Sequence, residues 1–574
     1  MRHLLQFLYG PEQGDQTWHR LEKILQAFQE KHPHLQSLDI PFSERLTQRD
    51  NLLITYGDQV RTPDEPPLHT LYRFLKHHTG DVLRGVHILP FFPYSSDDGF
   101  SVIDYCKVNP ELGTWEDIRR FRQDFKLMVD AVINHISRHS TWFEWFICGK
   151  PPYRDYFIVV DPDTDLSQVV RPRTTPLLTP VETVEGTRYV WTTFSPDQID
   201  LNYHNPAVLL DIIRILLFYV SQGAEIIRLD AIAYLWKEIG TPCIHLPQTH
   251  AVVKLFRALF DRVAPSVLLI TETNVPHAEN VSYFGDGTDE AQMVYQFSLP
   301  PLVLHTFLEG DTTVLQQWVA TLSTPSDETT FFNFLASHDG IGLRPAEGLL
   351  PPEAIDRLVR ITYDRGGFVS YRSLPDGGRA PYELNITYYE ALNDVRRTKE
   401  SEDLQIARFI AAHAIMLSLE GVPGLYFHSL LGSLNWREGV GYTGHFRTIN
   451  RQKFLRDMLE ARLQTADSRE RTIMERMKYL LRIRSRERAF HPNSRQRILA
   501  MPPELFGLLR IPEDPGQTVG CVTNVTSRTQ RIPTSNLFPE PHRLQDLLTD
   551  TFFSPEDDIV LPPYATRWLK PVSS

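Results

Sequence analysis

Cysteine is scarce in this sequence, basic charge is not in excess, and no long apolar run occurs. The four cysteines, Cys106, Cys148, Cys243 and Cys521, are scattered through 574 residues with no C-x-x-C pair. That spacing argues against a zinc ribbon or a disulfide framework and fits free thiols in a reducing cytoplasm. Lys and Arg number 59 against 71 Asp and Glu, a net charge of −12. A nucleic-acid binder would carry a basic face, so that class is set aside, although local arginines can still build an anion pocket inside an acidic protein. No stretch approaches the ~18 consecutive apolar residues of a membrane span. The opening "MRHLLQFLYGPEQGD" is too short and too interrupted for a signal peptide. A cytoplasmic enzyme without a membrane partner is the default expectation, and association into a homo-oligomer stays open.

What is present is a rhythm of short apolar runs between helix-like stretches. "DQTWHRLEKILQAFQEKHP", from Asp15 to Pro33, has helical spacing and belongs to an N-terminal helical extension over 1–50. Eight strand-like runs then follow: "NLLITYGDQV" at 51–60, "GVHILPFFP" at 85–93, "KLMVDAVINH" at 126–135, "AEIIRLDA" at 224–231, "SVLLITETN" at 266–274, "MVYQFSL" at 293–299, "TFFNFLASHD" at 330–339 and "GVPGLYF" at 421–427. Continuous apolar strands are buried on both faces, as in parallel sheets. Eight of them alternating with helices predict an α/β fold, a closed (β/α)₈ barrel spanning 51–139 and 206–490. Two insertions interrupt it, a domain at 140–205 and a second at 340–400 that carries the Gly-rich "YDRGGFVSYRSLPDGGRAPYELN". Long insertions in compact domains are usually functional. The remainder, 491–574, reads as a small antiparallel β-domain of short strands between turns.

Polar residues cluster where these strands end. The third run ends in Asp130, Asn134 and His135, the fourth in Arg228 and Asp230, the fifth in Glu272 and the seventh in His338 and Asp339. Carboxyl ends of barrel strands converge on one site, so three carboxylates from three strands are expected to share a pocket. A lone strand-end Asp is more often a cap or an ion-pair partner; three in this order are hard to explain by structure alone.

"DAVINH", "IIRLDA", "ITETN" and "FLASHD" resemble, in order, four motifs of glycoside hydrolase family 13, the α-amylase family. The resemblance implies Asp230 as nucleophile, Glu272 as general acid/base and Asp339 as transition-state stabiliser. Retaining glycoside chemistry uses two carboxyl groups about 5–5.5 Å apart, one ionised and one protonated. Arg228, two residues before Asp230 and on the same strand face, is expected to lower the pKa of Asp230, and an apolar pocket to raise that of Glu272. His135 and His338 are expected to bind sugar hydroxyls.

"GVHILPFFPYSSDDGFSVIDYCKV", "RPRTTPLLTP", "TTFSPDQIDLNY", "ELNITYYEAL" and "RTINRQKF" are similar to the sucrose phosphorylase subgroup of that family. This implies that Asp97 and Arg447 grip a single glucosyl unit, that Phe194 and Tyr234 wall it and Gln198 lines it, and that Arg173 meets an anionic acceptor. Arg138, Tyr371, Arg372, Arg379 and Tyr382 are further acceptor-site candidates. Three departures, the N-terminal extension, the Gly-rich insertion and "RTINR" in place of "RDINR", resemble the glucosylglycerate phosphorylase branch. The resemblance then implies reversible phosphorolysis of 2-O-α-glucosyl-D-glycerate to α-D-glucose 1-phosphate and D-glycerate. Its small-molecule partners would be an α-glucoside and inorganic phosphate as co-substrate, with no metal or organic cofactor. Loss of the acid beside Arg447 is expected to make the acceptor pocket more basic. Sucrose phosphorolysis, α-glucosidase or transglucosidase activity, and a non-catalytic binding role are the alternatives.

Overall fold

The computed structural model describes residues 1–36, 40–374, 377–396, 399–538, 540 and 542–572. Eight parallel strands close into a barrel: β1 (Leu52–Thr55), β2 (Gly85–Ile88), β3 (Lys126–Ala131), β4 (Ile226–Leu229), β5 (Leu268–Thr271), β6 (Met293–Tyr295), β7 (Thr330–Phe334) and β8 (Val422–Tyr426). Each pairs with its neighbours in sequence order, and β8 pairs β1. Apart from Lys126 at the start of β3, every strand residue is buried, as a sheet covered on both faces requires. The eight strands are those read from the apolar runs, each shorter than its run because the run continues into the loop that carries the polar residues. Amphipathic helices such as Pro247–Val263 form the outer layer.

The excursion after β3 starts earlier than position 140. His135–Ser137 already leaves the barrel to pair antiparallel with Gln198–Asp200, and the hairpin Leu178–Thr183/Gly186–Trp191 projects beyond it. The Gly-rich stretch is likewise not a bare loop. Phe368–Ser373 and Arg379–Asn385 form a hairpin, extended by Ile341–Gly342 into a three-stranded sheet, behind the helix Pro352–Asp364. Pro375 and Asp376 of that stretch lie outside the described residues.

At the amino end, helices Arg2–Tyr9 and Pro11–Lys31 bury Leu5, Leu21 and Leu25, and Tyr9 donates to Tyr203 O at 3.1 Å. At the carboxyl end a six-stranded sheet and a two-stranded ribbon form the small β-domain. Arg484, fully buried, ties together the segments that lead into β1 and β8 by donating to the carbonyls of Gln48, Asp50, Leu417 and Gly421, and it also donates to Phe490 O. Among the described residues no helix is long and apolar enough to cross a membrane.

Candidate active site

Barrel register builds the site in two layers. Asp130 on β3 lies level with Arg228 on β4, which lies level with Ile270 on β5. Arg228 and Asp130 therefore meet inside the barrel as a buried ion pair. His87 on β2 closes the other side of Asp130 at 2.6 Å. Burial works against the Asp130 charge, but Arg228 and His87 outweigh it and hold the carboxyl at about 2.

One layer higher, the same register puts Asp230 beside Glu272. The ladder runs on past the strand ends, with Asp230 N donating to Ala131 O at 3.2 Å and Glu272 N to Leu229 O at 3.1 Å. Arg228 Nη1 reaches Asp230 Oδ1 at 2.8 Å, and its Nη2 lies 3.9 Å from Glu272 Oε2. One guanidinium thus contacts both carboxyl groups and favours the charge on Asp230. Ala231 adopts a left-handed conformation, φ 49°, and its N–H donates to Glu272 Oε2 at 3.0 Å. Left-handed backbone at a residue with a Cβ costs on the order of 1 kcal/mol; here it turns the chain after Asp230 and aims that donor.

Burial pushes Asp230 well above the usual carboxylate range, with Arg228 opposing the shift and Glu272 adding to it. The expectation that Arg228 would leave Asp230 below its ordinary value is corrected: the arginine's charge is divided, and desolvation outweighs what remains. Glu272 also rises, through burial and the charge of Asp339. The two carboxyls titrate as a pair; Arg228 sits closer to Asp230 than to Glu272, which favours the charge on Asp230, while burial of Asp230 works the other way.

Asp339 follows β7. Burial opposes its charge, but the guanidiniums of Arg447 and Arg451 hold it well below the usual range. Arg447 Nη1 contacts Asp339 Oδ1 at 2.7 Å, and its other edge is gripped by Glu383, Nε to Oε2 at 3.0 Å and Nη2 to Oε1 at 2.5 Å. Arg451 donates to His338 O at 2.8 Å and pairs with Asp98 at 2.7 Å. His338 stacks on Phe100 with centroids 4.8 Å apart, and burial keeps its imidazole neutral.

The cavity above these carboxylates has a volume of about 70 Å³. Asp97, His135, Gln198, His338 and Arg447 line it. Gln198 and His135 both bond Phe100 O, at 3.0 and 2.8 Å. Phe194 and Tyr234 meet edge to face at 5.6 Å and form one wall. Asp97 and Asp98 are both left-handed, so the "DDG" stretch is a turn and also supplies a cavity residue. Arg173 enters the cavity between the rings of Phe194 and Tyr382, 5.7 and 5.4 Å from their centroids. Its guanidinium donates to Pro172 O at 3.3 Å, and no salt bridge forms to it among the described residues.

Four acceptor-site candidates do not line the cavity. Arg138 follows a short strand whose Ser137 points inward, so its own side chain is exposed. Tyr371 is exposed and contacts Tyr363 at 3.4 Å. Arg372 pairs with Glu347 at 2.9 Å. Arg379, paired in register with Ser373 on the hairpin, is exposed. The sequence reading also missed Glu383 and Arg451. Both sat inside quoted stretches, "ELNITYYEAL" and "RTINRQKF", but nothing local pairs Glu383 with a residue 64 positions away.

Residues 82–340 match the model of the α-amylase catalytic domain. A glucosylglycerate phosphorylase of Spirochaeta thermophila is 51% identical over 581 aligned residues, covering 100% of this chain and 98% of that protein. The chain belongs to the α-amylase family, glycoside hydrolase family 13. A sucrose phosphorylase of Agrobacterium vitis is 33% identical over 76% of this chain and 88% of its own. The solved sucrose 6F-phosphate phosphorylase from Thermoanaerobacter thermosaccharolyticum superposes with a TM-score of 0.72 at 27% identity, covering 83% of this chain and 94% of that one. Within the family this chain therefore groups with phosphorylases. Its three strand-end carboxylates, from β4, β5 and β7, stand on the barrel's carboxyl face, where α/β barrels place their chemistry.

Proposed function

We propose that this chain catalyses the reversible phosphorolysis of 2-O-α-glucosyl-D-glycerate, giving α-D-glucose 1-phosphate and D-glycerate. The observation that carries the phosphorylase reading is Arg173, a guanidinium with no salt bridge among the described residues, held by two aromatic faces at a cavity whose floor is three carboxylates. An unneutralised, forked donor in such a place suits phosphate and carboxylate alike. The choice of glycerate rests on the 51% identity with a protein named for that substrate.

The steps follow from the geometry. Asp230, held charged by Arg228, attacks C1 of the glucosyl unit while Glu272 gives its proton to the departing glycerate oxygen. Asp339 stabilises positive charge on the ring as the bond breaks. Glycerate leaves, phosphate enters beside Arg173, and Glu272 takes a proton from it as its oxygen attacks C1 and frees Asp230. Two inversions return the α configuration. In this scheme inorganic phosphate is the only co-substrate and the carboxyls do the chemistry without a metal or organic cofactor. All four cysteines are free, which suits a reducing cytoplasm.

A panel of α-glucosides with phosphate, scored for glucose 1-phosphate, tests the reading. The expected order puts 2-O-α-glucosyl-D-glycerate first. Turnover of sucrose with none of glucosylglycerate would overturn the glycerate assignment. Asp230→Ala is expected to lower kcat by about 10⁴-fold or more, as loss of a covalent nucleophile does; unchanged turnover would remove Asp230 from the mechanism.

A further inference from the structure

Glu383 is nearly fully buried and lines the cavity, yet the reaction gives it no step. A buried carboxylate is costly unless it is paired. Here the pairing is lopsided: one arginine, Arg447, serves two carboxylates. Glu383 takes the Nε and Nη2 edge with both of its oxygens, and Asp339 receives only Nη1 through Oδ1. Left alone, an arginine and a carboxylate favour the two-pronged arrangement. In that arrangement both oxygens of Asp339 would be turned onto Arg447 and away from the sugar.

We propose that Glu383 is a positioning residue that occupies the fork of Arg447, so that Asp339 is held end-on by one oxygen and keeps the other for the glucosyl unit. Glu383 acts through Arg447 and touches no reacting atom. It also accounts for the missing acid in "RTINR". The residue after Arg447 is Thr448, and the carboxylate that neutralises Arg447 arrives from the strand Arg379–Asn385 of the second insertion. The expectation of a more basic pocket from that loss alone is thereby corrected. The inference rests on Asp339 facing the sugar, and on nothing about glycerate.

The test uses α-glucosyl fluoride, whose leaving group needs no acid and which reports glucosyl transfer to Asp230 whichever acceptor is natural. Glu383→Gln keeps the shape but presents an amide N–H₂ to the arginine. Its kcat for the fluoride is expected to fall about 10- to 100-fold, the penalty of a small misplacement at a reacting centre. The KM for phosphate and the melting temperature should stay near wild type. In an Arg447→Lys background, where there is no fork to occupy, the same substitution should have little further effect. Equal losses in both backgrounds, a loss that follows the melting temperature, or activity within about twofold of wild type would overturn the proposal. A wild type that turns over the fluoride but not glucosylglycerate would overturn the substrate reading and leave this one standing.

Discussion

At the scale of single residues, the site is an exercise in sharing few cations among many carboxylates. Arg228 divides its charge between Asp130, Asp230 and Glu272, and Arg447 divides its own between Asp339 and Glu383. Among the described residues Arg173 has no carboxylate partner, so it is the residue on which an incoming anion should depend most. Arg173→Ala is expected to raise the KM for phosphate about 30-fold, the loss of roughly 2 kcal/mol of charged hydrogen bonding. Turnover of α-glucosyl fluoride should change little, and steady-state kinetics on the two reactions checks the split. Most of this layer was legible in the sequence because each carboxylate closes a strand. The net rise of Asp230 was not, because it depends on burial and on a second carboxylate 42 positions on, which no local motif displays.

Elements supply the precision that residues cannot. Gly424 on β8 is a case where packing decides the residue type, since a Cβ there would come 2.3 Å from the Phe332 ring on β7. Gly424→Ala is expected to destabilise the barrel by about 1–3 kcal/mol, the range for an overpacked core, as read in urea unfolding. The eight strands were readable because buried parallel strands are mostly apolar. The Gly-rich stretch of the second insertion was read as a loop because its glycines and prolines mark turns, while the sheet it forms is completed by Ile341–Gly342, well before the stretch. That hairpin carries Tyr382 and Glu383 inward and leaves Tyr371 exposed, which is why the acceptor-site candidates divided as they did.

At the scale of the whole molecule, buried histidines set an acid limit. His413 and His428 are pushed down by burial, to about 4 and about 3, from an ordinary 6.5. Their folded forms are neutral, and the unfolded chain takes up protons that the folded chain refuses as pH drops below about 6.5. Stability is therefore fully present above that pH and lost as pH falls towards 3. Chemical denaturation from pH 7 to 4 should show this decline, and His413→Gln should make it shallower; an unchanged slope would remove His413 from the account. The barrel and the terminal antiparallel sheet could be placed from composition and periodicity. The clamp through Arg484 could not, because its five partners are backbone carbonyls that leave no mark in a sequence.

The proposed reaction is double displacement at Asp230 with phosphate as the second nucleophile. Proton NMR of the enzyme with 2-O-α-glucosyl-D-glycerate and phosphate tests it most directly, by following the anomeric signals from the first turnovers. Double displacement should give α-glucose 1-phosphate and D-glycerate in equal amounts with little free glucose. A β-configured phosphate, or free glucose as the main product, would contradict it.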